Sequence, residues 1–313
     1  MKYTLLLSLS IFAQFAYADK EPQNFLFIGG DSDTLQRYET QIKAKNIDGV
    51  QIVYSWKMLE PSKDHYDFSM IKSNLNYLNS QHKRLFIQIQ DRFFTPQAKN
   101  VPLYLQTEPI YNGGIAPQLD NPGMNKPLVS GWVAMQWNPA VQARYQKLIR
   151  ELARRFDGKI YGINLPETAI DIEDSSNKSG FSCEKYFNAE VANILTARQA
   201  FKHSRVVQYV NFFPCEWNND HNYMNRMFNL AKQNNIGLGG PDVIPYKKVQ
   251  MENSYQFFAK NKQQLELITM AVQAPDYNYI NPQTQKKFTH AEFNNFACDY
   301  IGADIIFWDV QKN

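Results

Sequence analysis

Carboxylates, amides and aromatic rings recur in this sequence just past a series of short apolar runs. Asp31 and Asp33 follow FLFIG, and Trp56 and Glu60 follow DGVQIVYS. Gln90, Asp91 and Arg92 end and follow RLFIQIQ, and Glu167 stands as a lone acid after YGINLP. Asn211, Glu216 and Trp217 follow RVVQYV; Asp242 and Tyr246 follow IGLGG. Gln273, Asp276 and Tyr277 follow LELITMAV, and Trp308 and Asp309 close the run IIFWD. A mixture of acids, amides and flat rings suits carbohydrate: the polar groups hold hydroxyls and the rings cover apolar sugar faces. His65, His82, His203, His221 and His290 are scattered without metal-ligand spacing, and the cysteines match no zinc pattern, so no metal or cofactor is expected. A serine hydrolase of the common fold is disfavoured because G-x-S-x-G does not occur.

For these residues to meet, the apolar runs must be neighbouring strands with a common polarity. Strand-like and helix-like stretches alternate from end to end: FLFIG, DGVQIVYSW, RLFIQIQ, KIYGINLP, RVVQYVNF, IGLGG, LELITMAVQ and ADIIFWDV, with helical patterns between them. The runs are continuously apolar, as for strands buried on both faces of a parallel sheet. Eight such units in about 290 residues predict a single-domain (β/α)8 TIM barrel over residues 19–313, with the last helix missing or trimmed. A doubly wound open sheet fits worse, because IGGDSD sets two acids where a phosphate loop would bind an anion. Asp31 and Asp33 are expected as helix caps, and Asn138 with Pro139 should start the helix NPAVQARYQKLIRELARRF. Residues 91–137, rich in Pro, Gly and Asn, are expected to form one long ordered loop walling one side of the site.

The segment W-x-x-L-E-P-x-x-x-x-Y-D-F-S at 56–69, leading through a helix into RLFIQIQ, resembles the second-strand region of (β/α)8 glycoside hydrolases. The clan resembled carries its acid/base on strand 4 and its nucleophile on strand 7. That resemblance implies Glu167 as acid/base, although Pro166 stands where the clan usually has Asn. It also implies Trp308 as the ring stacked beside the scissile bond. At the strand-7 position for the nucleophile stands Gln273, whose amide cannot replace an ionised carboxylate.

The second carboxylate must therefore come from elsewhere. Asp276 could fold back into the site, and Asp242 or Glu216 could act as the base of an inverting reaction, with Asp242 preferred for the tight turn that GGPD allows. Trp56, Gln90, Asn211, Glu216, Trp217, Tyr246, Gln273 and Trp308 are expected to contact substrate, whereas Glu60 reads as a turn or salt-bridge residue. The reading is an oligo- or polysaccharide-binding hydrolase. The alternative, for which Gln273 speaks, is a catalytically silent carbohydrate-binding or surface-interaction protein on the same barrel.

The start, MKYTLLLSLSIFAQFAYADK, has the layout of a signal peptide cleaved after Ala18, predicting a periplasmic or secreted protein without stable membrane insertion. An oxidising compartment permits a disulfide between Cys183 and Cys215, with Cys298 free and buried. Across 313 residues, 33 basic side chains nearly balance 30 acidic ones. That leaves no electrostatic footprint for nucleic acid.

Overall fold

The computed structural model describes residues 21–29, 35–120, 128–172, 179–217 and 219–310. The expected signal peptide and the caps Asp31 and Asp33 lie outside them. Among the described residues eleven strands are formed: β1 (Gln23–Ile28), β2 (Gly49–Ser55), β3 (Arg84–Gln90), β4 (Arg92–Phe93), β5 (Ile115–Asp120), β6 (Leu128–Ala134), β7 (Gly162–Leu165), β8 (Arg205–Tyr209), β9 (Gly237–Gly240), β10 (Ile268–Val272) and β11 (Ile305–Asp309). Eight of them close into a parallel barrel in the order β1-β2-β3-β7-β8-β9-β10-β11, with β11 pairing back onto β1. This is the TIM-barrel architecture expected from the alternating pattern, and β7 is its fourth strand.

The barrel interior explains where chemistry can and cannot occur. Phe25, Phe86 and Phe307 fill it edge to face, with ring centroids 5.3–6.4 Å apart, beside Val207, Ala271 and Ile305. Such a plug is a packed core, so function is left to the loops at the C-terminal ends of the strands. Close packing also dictates small residues. A Cβ on Gly239 would stand 2.3 Å from the Thr269 carbonyl oxygen, so β9 can approach β10 only with glycine there.

Helices cover the outside. Asn138 caps the helix Pro139–Phe156 by accepting from the Ala140 and Val141 amides, with Pro139 at its first position as predicted. Its apolar face (Val141, Tyr145, Leu148, Ile149, Leu152) is buried against the barrel and against the helix Cys183–Ala200. A Cys183–Cys215 disulfide joins the start of that second helix to the loop after β8, and Cys298 is free and half-buried.

The 91–137 excursion is more ordered than a loop. It folds into a three-stranded antiparallel sheet in the order β4-β6-β5. Its strands escape a sequence reading because β4 has two residues and β5 carries Pro117, which only an edge strand tolerates. The sheet docks beside the loop that follows β7, where the Leu119 amide donates to the Asp171 carbonyl at 2.8 Å. Among the described residues no helix is long and apolar enough to cross a membrane.

Candidate active site

Glu167 sits two residues past β7 on a loop whose backbone is held from several sides. Arg92 Nη1 donates to the Glu167 carbonyl at 2.6 Å and to the Tyr186 hydroxyl at 2.7 Å; Tyr186 in turn donates to the Thr168 carbonyl at 3.0 Å. Thr168 donates from its amide to the Tyr209 carbonyl and from its hydroxyl to the Phe212 carbonyl. Gln208 donates to the Pro166 carbonyl. β4, the end of β8 with its loop, and the helix Cys183–Ala200 thus hold the backbone of three successive residues, Pro166 to Thr168, and the acid projects from a fixed base.

Arg92 is a fully buried cation, which requires counter-charge. Asp91 accepts from its Nε at 2.8 Å and Glu190 from its Nη2 at 3.3 Å. Burial works against the Arg92 charge, but Asp91, Tyr186 and Glu190 outweigh it and hold the guanidinium pKa above its ordinary value. Burial likewise pushes Glu190 up to about 7 against the pull of Arg92. Gln136 and Asn193 extend the network, Gln136 donating to Asp91 at 2.8 Å and Asn193 to Gln136 at 3.0 Å.

The Glu167 carboxyl is raised to about 8, first by burial and then by the neighbouring Asp242 charge; Arg92 and a hydrogen bond with the Asn211 side chain pull the other way. Asp242, four residues from Leu238 on the β9 side, is raised to about 6 by burial, with Lys247 opposing. Two carboxyl groups within electrostatic reach and with separated pKa values are the arrangement that allows one to act as acid and the other as base. The Tyr255 hydroxyl braces the Asp242 loop, donating to the Asp242 carbonyl at 3.2 Å and accepting from the Ile244 amide at 2.9 Å.

Beneath these acids the barrel carries a polar layer. Gln51 and the Tyr209 hydroxyl are hydrogen-bonded at 3.1 Å. Gln88 and Asn164 are register partners on β3 and β7; the Gln88 side-chain oxygen and both polar atoms of Asn164 are buried without a protein partner. Gln90 Oε1, one turn of the pleat higher, is in the same state. On the β1, β10 and β11 side a cavity of about 1160 Å³ is lined by Phe27, Ala274, Tyr277, His290, Trp308 and Asp309. Among the described residues no group of three or more His, Cys, Asp or Glu is placed to hold a metal ion.

The structure gathers Glu167, Asp242, Asn211, Gln90 and Gln273 at one end of the barrel and sends other expected residues elsewhere. Trp56 is 0% exposed: it opens a short helix, packs on Tyr145 and donates to Glu60 at 2.8 Å, so it is core and cannot stack on a sugar. Glu60 is the ion-pair residue expected of it, bound to Arg144. Glu216 accepts from the Tyr223 and Met224 amides at 2.6 and 3.0 Å; it caps the helix Tyr223–Asn234 and is not a substrate contact. Asp276 is 1% exposed, and its Oδ2 accepts from the Gln273 amide at 2.9 Å and the Val243 amide at 3.2 Å. It ties the loop after β10 to the Asp242 loop rather than facing substrate, and burial with the Asp242 charge raises it to about 8.

Trp308 also departs from expectation. Its neighbour Phe307 takes the interior face, so alternation turns Trp308 outward, where it donates to Asn24 Oδ1 at 2.7 Å and is stacked by His290 at 3.7 Å. It is a wall of the cavity, with 5% of its surface exposed, and not an open platform. Trp217, by contrast, is 58% exposed beside Phe212. Tyr246 lies against Phe288 and Phe296, outside the cavity that Trp308 borders. Sequence reasoning missed Tyr186 and Glu190 altogether, since both read as ordinary positions of a helix; only the unusual Asp-Arg pair at the end of β3 signalled a buried charge.

No protein-family model and no curated protein matches the sequence. Solved structures do match by shape. Endo-glycoceramidase II from Rhodococcus sp., bound to a five-membered iminocyclitol, superposes with a TM-score of 0.57 at 11% identity over 94% of this chain and 74% of that one. A β-galactosidase from the Antarctic haloarchaeon Halorubrum lacusprofundi gives 0.56 at 10% identity, covering 91% and 52%. Xylanase A of P. fluorescens subsp. cellulosa with xylopentaose gives 0.53 at 11%, covering 92% and 86%. The chain spans about half the length of the β-galactosidases it matches. At these identities the likeness is one of fold, and it agrees with the barrel resemblance drawn from residues 56–69.

Proposed function

We propose that this protein is a glycoside-hydrolase-type barrel, exported to the periplasm or beyond, that binds an oligo- or polysaccharide at the C-terminal end of the barrel and hydrolyses it. Glu167 is the general acid: with its carboxyl raised to about 8 it carries a proton at neutral pH and can deliver it to the leaving oxygen. Asp242, which burial raises while the Lys247 charge draws it down, serves as the second carboxylate. Asn211 orients the acid, and the amides of Gln88, Gln90 and Asn164 lie where hydroxyls or bridging water would satisfy them. Trp217 supplies the exposed ring for a sugar farther from the bond. The Cys183–Cys215 bond supports an oxidising compartment.

The single observation that carries this reading is the place of Glu167 two residues past β7, hydrogen-bonded to the Asn211 side chain and within electrostatic reach of Asp242. The test is a hydrolysis and binding screen on neutral polysaccharides with wild type, Glu167→Gln and Asp242→Asn. Turnover in wild type that falls at least ~10²-fold in each variant supports the assignment, in line with the usual contribution of a positioned acid or base. Turnover unchanged in Glu167→Gln would overturn it. A second reading, a binding protein without turnover, is favoured by Gln273, which puts an amide where a nucleophile would stand. It predicts glycan binding in all three proteins and hydrolysis in none.

A further inference from the structure

A second cavity, of about 500 Å³, opens between the segment after β9 and the segment after β10. The acid pair has no part in it. Its floor is aromatic: Phe296 stacks on Tyr300 with centroids 5.1 Å apart and planes at 19°, and Phe288 completes the surface. Tyr246 lies over one edge, 6.3 Å from Phe288 and 6.1 Å from Phe296. Tyr246 is 46% exposed although its ring has apolar neighbours, and its backbone takes φ 65°, a conformation that side-chain-bearing residues seldom adopt. The chain thus bends to present an open ring beside a half-covered aromatic floor.

The rim is polar without being basic. Asn295 and Gln283 are exposed there, and among the described residues no lysine or arginine lines the cavity. Of the two acids present, Glu292 is engaged by the Thr289 cap and by Asn281, whose amide donates to it at 2.7 Å. A floor of flat rings with amides at the edge fits a flat, uncharged molecule with hydroxyls around its margin. The missing cations argue against a phosphate, sulfate or carboxylate ligand.

We infer that this groove is a second, non-catalytic binding site for a neutral sugar ring, with Tyr246 and Phe296 as its stacking surfaces. It adjoins the proposed active site through the loop 241–247, which carries Asp242 at one end and Tyr246 near the other. The inference rests on the carbohydrate reading only for its ligand class, and the two can fail separately.

Saturation-transfer NMR with cellopentaose, xylopentaose, mannopentaose and laminaripentaose tests it, on wild type, Tyr246→Ala, Phe296→Leu and Glu167→Gln/Asp242→Asn. The expected result is sugar binding retained in the double acid variant and weakened at least ~10-fold in Tyr246→Ala, with Phe296→Leu as a second probe that removes the ring but keeps a branched apolar side chain. Circular dichroism confirms that each variant is folded. Binding abolished by the acid substitutions and untouched in Tyr246→Ala and Phe296→Leu would overturn the second site while leaving the active-site reading intact. Binding lost in both Tyr246→Ala and Phe296→Leu and untouched by the acid substitutions would do the reverse. Failure of all four sugars to bind overturns the inference.

Discussion

Arg92 and Glu167 are joined through the backbone: the guanidinium Nη1 lies 2.6 Å from the Glu167 carbonyl oxygen, not from its carboxylate. The cation therefore fixes where the acid stands without neutralising it, and its own charge is met by Asp91 and Glu190. Replacing Arg92 by Met should leave two carboxylates buried without a counter-ion. The expected loss is about 3–5 kcal/mol, as for a broken buried pair. Urea denaturation checks it, and Arg92→Lys should recover part of the loss because a lysine keeps the charge but not the fork of donors.

The raised carboxyl at Glu167 has a definite pH signature. A group whose folded pKa exceeds its unfolded value stabilises the fold below the unfolded pKa and loses that contribution as pH rises through the folded one. For Glu167 the window runs from about 4.5 to about 8. Wild type should therefore lose stability relative to Glu167→Gln as pH is raised from 5 to 9, as read by melting temperature. Hydrolysis, where measured, should follow a bell whose alkaline limb lies near 8, from Glu167, and whose acid limb, from Asp242, lies above the ordinary aspartate range.

Trp56 and Trp217 should behave as opposites. Trp56→Ala opens a hole in the core and should cost about 3–5 kcal/mol. Trp217→Ala, at a 58% exposed position, should change stability by no more than about 0.5 kcal/mol but weaken glycan binding. Chemical denaturation paired with a binding isotherm separates the two.

The Cys183–Cys215 bond closes a loop with a sequence separation of 32 that spans the helix bearing Tyr186 and Glu190. Loop-closure entropy puts its contribution at about 3–4 kcal/mol. A Cys183→Ser/Cys215→Ser variant should melt lower by a corresponding amount, and reducing agent should lower the wild-type melting temperature without affecting that variant.

Local pattern alone determined the barrel. Apolar runs of strand length, alternating with capped amphipathic helices, leave a chain few other ways to bury both faces of its sheet, and Asn138-Pro139 or Cys183 and Cys215 announce themselves by residue type. The same logic set Glu167 and Asp242 at strand ends, because position along a strand is a one-dimensional fact. What the sequence did not contain was direction and partnership. Whether a ring at or past a strand end meets the cavity or the surrounding layer turns on a single step of the chain, which set Trp308 outward against His290 and packed Trp56 on Tyr145 of the outer helix. Whether an acid is open or engaged depends on amides brought from distant loops, which turned Glu216 into a helix cap and Asp276 into a brace. Only closure of the chain brought Arg92 to Tyr186 and Glu190, nearly a hundred residues on, because the cost of burying a charge is settled by neighbours in space.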